Sequence, residues 1–275
     1  MSVGVGPRAR LPDYVIVLPL LLALSAVAWL AIHRLGDDGM RLGVLTGSID
    51  EHAMGEHAMD QDQPAMGHMS MAFGLFMGTW VVMMVAMMFP AVAPVVLTFR
   101  RWARARERPI STTAAFVLGY LAVWSAIGLA AYGVLQLLQA WVSVGSSTAV
   151  RVGAALLAVA GAYQLTPLKD VCLRHCRSPL AVVMQYGTLL GKGHLGPFRV
   201  GLVHGAYCLG CCWSLFLVLI LLGMMSLVWM GVVTAIVLAE KVLPQGERLS
   251  RLVGVLLISL GVLLFVRPES LPAFI

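Results

Sequence analysis

The sequence predicts an all-α fold: a polytopic transmembrane helical bundle of six or seven spans, with the N-terminus in the cytoplasm. Three observations carry this prediction. The chain is 60% hydrophobic and only 12% charged, with mean hydropathy +0.89. Apolar runs occur at 12–33, 72–99, 111–139, 149–167, 198–223, 226–240 and 250–267. Most approach or exceed the ~20 residues that a helix needs to cross ~30 Å of hydrocarbon. Finally, the basic residues collect in alternate loops. Continuous apolar runs mean helices, because a lipid-exposed backbone must satisfy its own polar groups.

The first run carries no Ala-x-Ala cleavage site and is as long as a span, so it reads as a helix that stays in the membrane. Arg8 and Arg10 precede it. Arg100, Arg101, Arg104, Arg106 and Arg108 follow the second run, Lys169, Arg174, Arg177, Lys192 and Arg199 lie between the fourth and fifth, and Lys241, Arg248 and Arg251 precede the last. All four segments share one side if the spans alternate. The opposite side receives 34–70, with seven acids against Arg34 and Arg41. The positive-inside rule then places 34–70 outside. The net charge of +6 follows this topology and is no signature of nucleic-acid binding. The sixth run is short, and a tilted or re-entrant segment fits it as well as a span.

The chain therefore divides into a cytoplasmic N-terminus with the first span (1–33), an extracytoplasmic loop (34–70), a helical core (71–267) with a cytoplasmic Cys-containing loop at 168–197, and a tail (268–275). Asp50–Ser70 reads as irregular, and Leu180–Tyr186 as a short interfacial helix or re-entrant turn.

The outer loop is rich in Met and His. The unit EHAM occurs twice, supplying His52, Met54, His57 and Met59, and Met66, His68, Met69 and Met71 follow. Ten of the 16 Met fall between Met54 and Met88. Thioether and imidazole suit copper, with sulfur selecting Cu(I). A polar linker with incidental Met is the plain alternative, but linkers favour Gly, Ser, Pro and charge.

In the second run Met77, Trp80, Met84, Met87 and Met88 fall within an arc of about 100° at helical spacing, with Met83 off that face. Such a stripe serves packing as readily as ligation. Pro90 and Pro94 are expected to interrupt this helix and free carbonyls there. In the fifth run the spacing H-x3-C-x2-C-C places His204, Cys208 and Cys211 within about 60°, and Cys212 widens the arc to about 100°. If the two faces meet, a sulfur-rich site with one histidine lies near the bilayer midplane. Buried Cys is often an inert small hydrophobe. Three in five residues beside an intramembrane histidine point instead to metal.

Cys172 and Cys176 form a C-x3-C pair on the inner loop, where a cytosolic compartment disfavours a structural disulfide. Lys169, Arg174 and Arg177 nearby are expected to favour thiolate. A metal hand-off site, a redox pair and two inert interfacial residues all fit. Glu240, beside Lys241, marks the membrane edge or faces the bundle as a proton or cation ligand. No P-loop, nucleophile elbow, HExxH or dinucleotide fingerprint is present, so an enzymatic reading has no motif behind it.

Four segments, WVVMMVAMMFP (80–90), YQLTPLKDVCLRHCRSP (163–179), GLVHGAYCLGCCW (201–213) and AEKVLPQG (239–246), together resemble a bacterial family of metal-binding integral membrane proteins built on a domain of unknown function. The resemblance covers about Met71 to Val266 and implies motif positions at Met84, Met87, Met88, Cys172, Cys176, Cys208, Cys211, Cys212 and Glu240. It stops short of most of the Met/His loop.

The expectation is a membrane protein of the bacterial inner membrane that captures copper outside and binds or passes it through a Met/Cys/His site, with Cu(I) favoured over zinc because thioether is a poor zinc ligand. An accessory or assembly subunit that delivers copper to a membrane copper enzyme, or exchanges it with a copper chaperone, is the first alternative. A membrane thiol oxidoreductase is the second. Lipid is the expected surrounding and nucleic acid is not a partner.

Overall fold

A computed structural model of the chain describes residues 13–37, 65–104, 109–141, 147–190, 195–222 and 226–267. Every regular element among them is a helix: α1 (Asp13–Asp37), α2 (Ala65–Arg104), α3 (Pro109–Trp141), α4 (Ser147–Gln164), α5 (Pro167–Arg177), α6 (Pro179–Leu190), α7 (Leu195–Leu222), α8 (Leu227–Val242) and α9 (Gly246–Val266). Among the described residues, α1, α2, α3, α7 and α9 are long and apolar enough to cross a membrane. The fourth and sixth apolar runs form shorter helices, α4 of 18 residues and α8 of 16. The segment at 180–186 is helical, as α6.

Two expectations are corrected. The segment Asp50–Ser70 is not irregular throughout, because α2 already begins at Ala65. Pro90 and Pro94 do not interrupt α2, which runs unbroken through both. Pro90 lacks the N–H that would bond the Ala86 carbonyl one turn earlier. Ser25 Oγ of α1 donates to that carbonyl at 2.6 Å, so the freed acceptor is satisfied by a neighbouring helix. One turn on, the carbonyl of Pro94 accepts from Thr98 Oγ1 at 2.9 Å.

α3 and α7 run side by side because glycine lets them approach. A side chain at Gly201 would run into the Phe116 carbonyl, and one at Gly119 into that of Phe198. α4 pairs with α9 in the same way: a Cβ at Gly161 would sit 2.6 Å from the Gly254 carbonyl. α1 packs on α2, and α2 on α3. Trp80 Nε1 ties α2 to α3 by donating to the Trp124 carbonyl at 2.9 Å.

The short helices end at one level. Tyr163, at the end of α4, donates its hydroxyl to the Gly210 carbonyl midway along α7 at 2.6 Å. Lys241, at the end of α8, reaches Cys208 of α7. Ser250, in the first turns of α9, bonds Gln164 Oε1 at 3.0 Å. Beyond this level α7 continues without α4 or α8, and α5 and α6 pack on it instead.

Candidate metal centre

α5 starts where Thr166 caps it, with Pro167 in its first turn and Asp170 near its N-terminus. Four residues fasten it to α8 and α9. Lys169 Nζ meets Glu240 Oε2 at 2.8 Å in full burial. Arg174 pairs with Glu247 at 2.8 Å, Asp170 with Arg251 at 3.1 Å, and Arg177 donates to the Leu243 carbonyl. These partners turn the apolar face of α5, with Cys172, Leu173 and Cys176, onto α7.

The result is a buried thiol cluster. The Sγ atoms of Cys176, Cys208 and Cys211 all lie within 4.8 Å of one another. Cys211 Sγ is 3.7 Å from Cys176 Sγ and 3.3 Å from Cys212 Sγ. Two non-sulfur groups touch Cys208 Sγ, both at 3.1 Å: the Tyr120 hydroxyl of α3 and the Lys241 ammonium of α8. All five cysteines are free. Four helices thus meet at one sulfur-rich point, with a positive charge beside it.

The two cysteines of the C-x3-C pair part company here. Cys176 joins the thiols of α7, so one member of the inner-loop pair and two cysteines of the fifth apolar run form one cluster. Cys172 packs against Gly210, where a Cβ would come 2.6 Å from its Sγ. The expected thiolate promotion by Lys169, Arg174 and Arg177 is not seen at Cys172. All three cations are directed to carboxylate or carbonyl partners on α8 and α9, and burial raises the Cys172 thiol instead.

His204 is buried one turn before Cys208, outside the thiol trio. Its ring lies among Phe116, Tyr120 and His175, with centroids 5.9, 6.1 and 6.5 Å away. His175 stacks on Tyr207 at 3.7 Å and 19°. Burial lowers the pKa of His175, which leaves its ring neutral at pH 7. Glu240 faces the bundle, with Oε2 on Lys169 and Oε1 without a hydrogen-bond partner among the described residues.

Met84, Met87 and Met88 are fully buried in the core that also holds the thiols. Met83, expected off that face, is buried too, because α1 covers the other side of α2. Met77 is partly buried. The principal helix neighbours of α2 are α1 and α3, and those of α7 are α3, α5 and α4, while the Met and Cys side chains share one buried core. Met66, His68, Met69 and Met71 fall on the first turns of α2, with side chains outside the described set. His52, Met54, His57 and Met59 lie outside the described residues.

A family model described as "PpoB2: Copper chaperone" matches residues 77–264. The chain belongs to this family. The PpoB2 match covers α3 to α8 whole and most of α2 and α9, and it therefore contains every cysteine. It supports a copper-related function for the chain. No curated protein and no solved structure matches the chain at a significant level.

Sequence reasoning missed Lys241 and Tyr120 as members of the site. Lys241 was legible as a charge at the end of an apolar run. Tyr120 carried no signal, since a tyrosine in an apolar helix is ordinary packing.

Proposed function

We propose that this chain is a membrane-embedded copper chaperone that holds Cu(I) at Cys176, Cys208 and Cys211 and hands it to an acceptor. The mutual approach of the three Sγ atoms carries the reading. Sulfur ligands at about 2.3 Å around a three-coordinate ion stand about 4 Å apart. The trio, all within 4.8 Å, is within an ångström of that spacing before any ion arrives. Cys212 Sγ, 3.3 Å from Cys211 Sγ, offers a further donor during exchange.

Charge favours the monovalent ion. Two thiolates, one Cu(I) and the Lys241 ammonium sum to zero, which suits an apolar surrounding. A divalent ion with the same two thiolates leaves the site positive. Zinc would also require a fourth donor. When copper leaves, Lys241 remains at 3.1 Å from Cys208 as a counter-charge, so the vacated thiolate is not abandoned in low dielectric.

The surrounding path rests on the sequence. His52, Met54, His57, Met59, Met66, His68, Met69 and Met71 capture copper on the extracytoplasmic side, and Met77, Met84, Met87 and Met88 form a thioether stage in α2. The N-terminus is cytoplasmic and the membrane is the bacterial inner membrane. The thiol centre sits toward the cytoplasmic side, at the level of the exposed Arg174 and Arg251. The acceptor is a membrane copper enzyme or a second copper chaperone.

The test is metal content of the detergent-purified protein after Cu(I) loading under reducing conditions. Copper that stays with the wild type, falls in the Cys176→Ser/Cys208→Ser/Cys211→Ser variant, and passes to an apo acceptor supports the proposal. Equal copper in both proteins would refute it.

A further inference from the structure

The ring nitrogens His204 Nδ1 and His175 Nε2 are both buried and have no hydrogen-bond partner among the described residues. Orphaned buried polar atoms are rare and call for an explanation. These two belong to adjacent rings, on the same pair of helices that build the thiol trio. His175 immediately precedes Cys176 on α5, and His204 lies one turn before Cys208 on α7. The imidazoles therefore form a layer next to the sulfurs.

The spacing suits an ion. Two imidazoles that share one metal at about 2.0 Å from each nitrogen have centroids at most roughly 6.3 Å apart, the limit reached in a linear arrangement, so rings at the observed separation need to close slightly on the ion. The His175 and His204 centroids are 6.5 Å apart, at an interplanar angle of 37°. His175 is fixed in place by stacking on Tyr207, and His204 by Phe116 and Tyr120. Neutral imidazole binds copper in either oxidation state, and more weakly than thiolate binds Cu(I). We infer that His175 and His204 form a second Cu(I) station, next to the thiol trio, through which the ion enters or leaves the sulfur site.

This inference rests on the copper reading of the trio and adds a separate place for a second ion. Transfer then needs no bare ion in the bundle. Cu(I) exchanges one sulfur for one imidazole at a time, with no change of oxidation state and no other reactant.

The experiment titrates the full-length protein in detergent with Cu(I), under reducing conditions, against a colorimetric Cu(I) chelator. The Cu(I)–thiolate charge-transfer absorption counts sulfur-bound copper separately. The proteins are wild type, His204→Gln, His175→Gln/His204→Gln, and Cys176→Ser/Cys208→Ser/Cys211→Ser. The proposal expects the double histidine variant to bind one equivalent fewer than wild type, with the thiolate absorption unchanged and transfer to the chelator slowed at least tenfold. The unchanged thiolate signal also shows that the variant is folded. Equal stoichiometry and equal transfer rate in wild type and double variant overturn the histidine station, while the thiol reading stands. Absence of the thiolate signal in wild type overturns the thiol reading itself, and the histidine station with it.

Discussion

Replacing Lys241 by methionine removes the only charge that touches the sulfur of Cys208 among the described contacts, and keeps an unbranched side chain one atom shorter. At 3.1 Å the attraction between ammonium and thiolate is about 5 kcal/mol gross for an effective dielectric near 20. Lys241 is only partly buried, so water recovers part of this. Truncating one partner of a buried charge pair costs about 2–5 kcal/mol in practice, and about 3 kcal/mol is the expected loss. Each 1.4 kcal/mol is a factor of ten, so Cu(I) affinity should fall about 10²-fold. The assay is competition with a Cu(I) chelator under reducing conditions, with Lys241→Arg as the charge-preserving control. Lys241→Arg should stay within about tenfold of wild type, because the longer fork alters geometry but keeps the charge. A Lys241→Met protein that binds Cu(I) within threefold of wild type would refute the electrostatic account of the site.

Other outcomes follow from the same packing. Cys176→Ser should lose Cu(I) affinity as severely as Cys208→Ser, whereas Cys172→Ser should retain it, since Cys172 faces Gly210 and not the trio; chelator competition separates the three. Gly201→Ala meets the backbone carbonyl of Phe116 and should lower thermal stability by more than about 3 kcal/mol, whereas Gly210→Ala meets only the Cys172 thiol and should cost about 1–3 kcal/mol in melting experiments. Glu240→Gln leaves Lys169 buried without its counter-charge and should destabilise by about 3–5 kcal/mol, while Lys169→Met/Glu240→Leu should recover most of that loss. Arg174→Ala/Arg251→Ala removes two exposed ion pairs that water largely screens, and should speed copper transfer to a chelator about fivefold without changing stoichiometry.

Much of this was legible in one dimension, and the exceptions share a cause. Apolar runs located all of the long helices, because hydrocarbon thickness fixes their length. The buried faces of α2 and α7 followed from helical periodicity, and Met84, Met87, Met88, Cys208, Cys211 and Cys212 are all buried. What failed was the treatment of each segment alone. Pro90 signalled a broken helix, but Ser25, 61 positions before Ala86, takes the role of the missing donor to the Ala86 carbonyl. Lys169, Arg174 and Arg177 looked like thiol activators by proximity in sequence. Their partners sit 66–73 positions away and turn them elsewhere. The separation of Cys172 from Cys176 depends on Gly210, which no local pattern on α5 could reveal.

The centre exists because α4 and α8 are short. At 1.5 Å per residue α7 is about 42 Å long, while α4 and α8 are about 27 and 24 Å. A longer α8 would carry Lys241 past Cys208, and a longer α4 would occupy the surface of α7 that α5 now covers. Their common stopping level leaves the middle of α7 open on one side, and α5 closes it with the third sulfur. The ties that hold α5 differ in kind. Lys169–Glu240 is buried and expensive to break, whereas Arg174–Glu247 and Asp170–Arg251 are exposed and cheap. Arg174–Glu247 and the hydrogen bond from Arg177 to the Leu243 carbonyl hold the C-terminal part of α5, where His175 and Cys176 reside, while Asp170–Arg251 lies beside Lys169 at its start. A small outward movement of that end, pivoting on Lys169, would withdraw one sulfur and leave copper on Cys208 and Cys211 with an open side. On the copper reading, an ion held by three sulfurs is hard to remove, and one held by two exchanges readily with an incoming ligand. Tight storage and prompt release then differ by the seating of a single short helix.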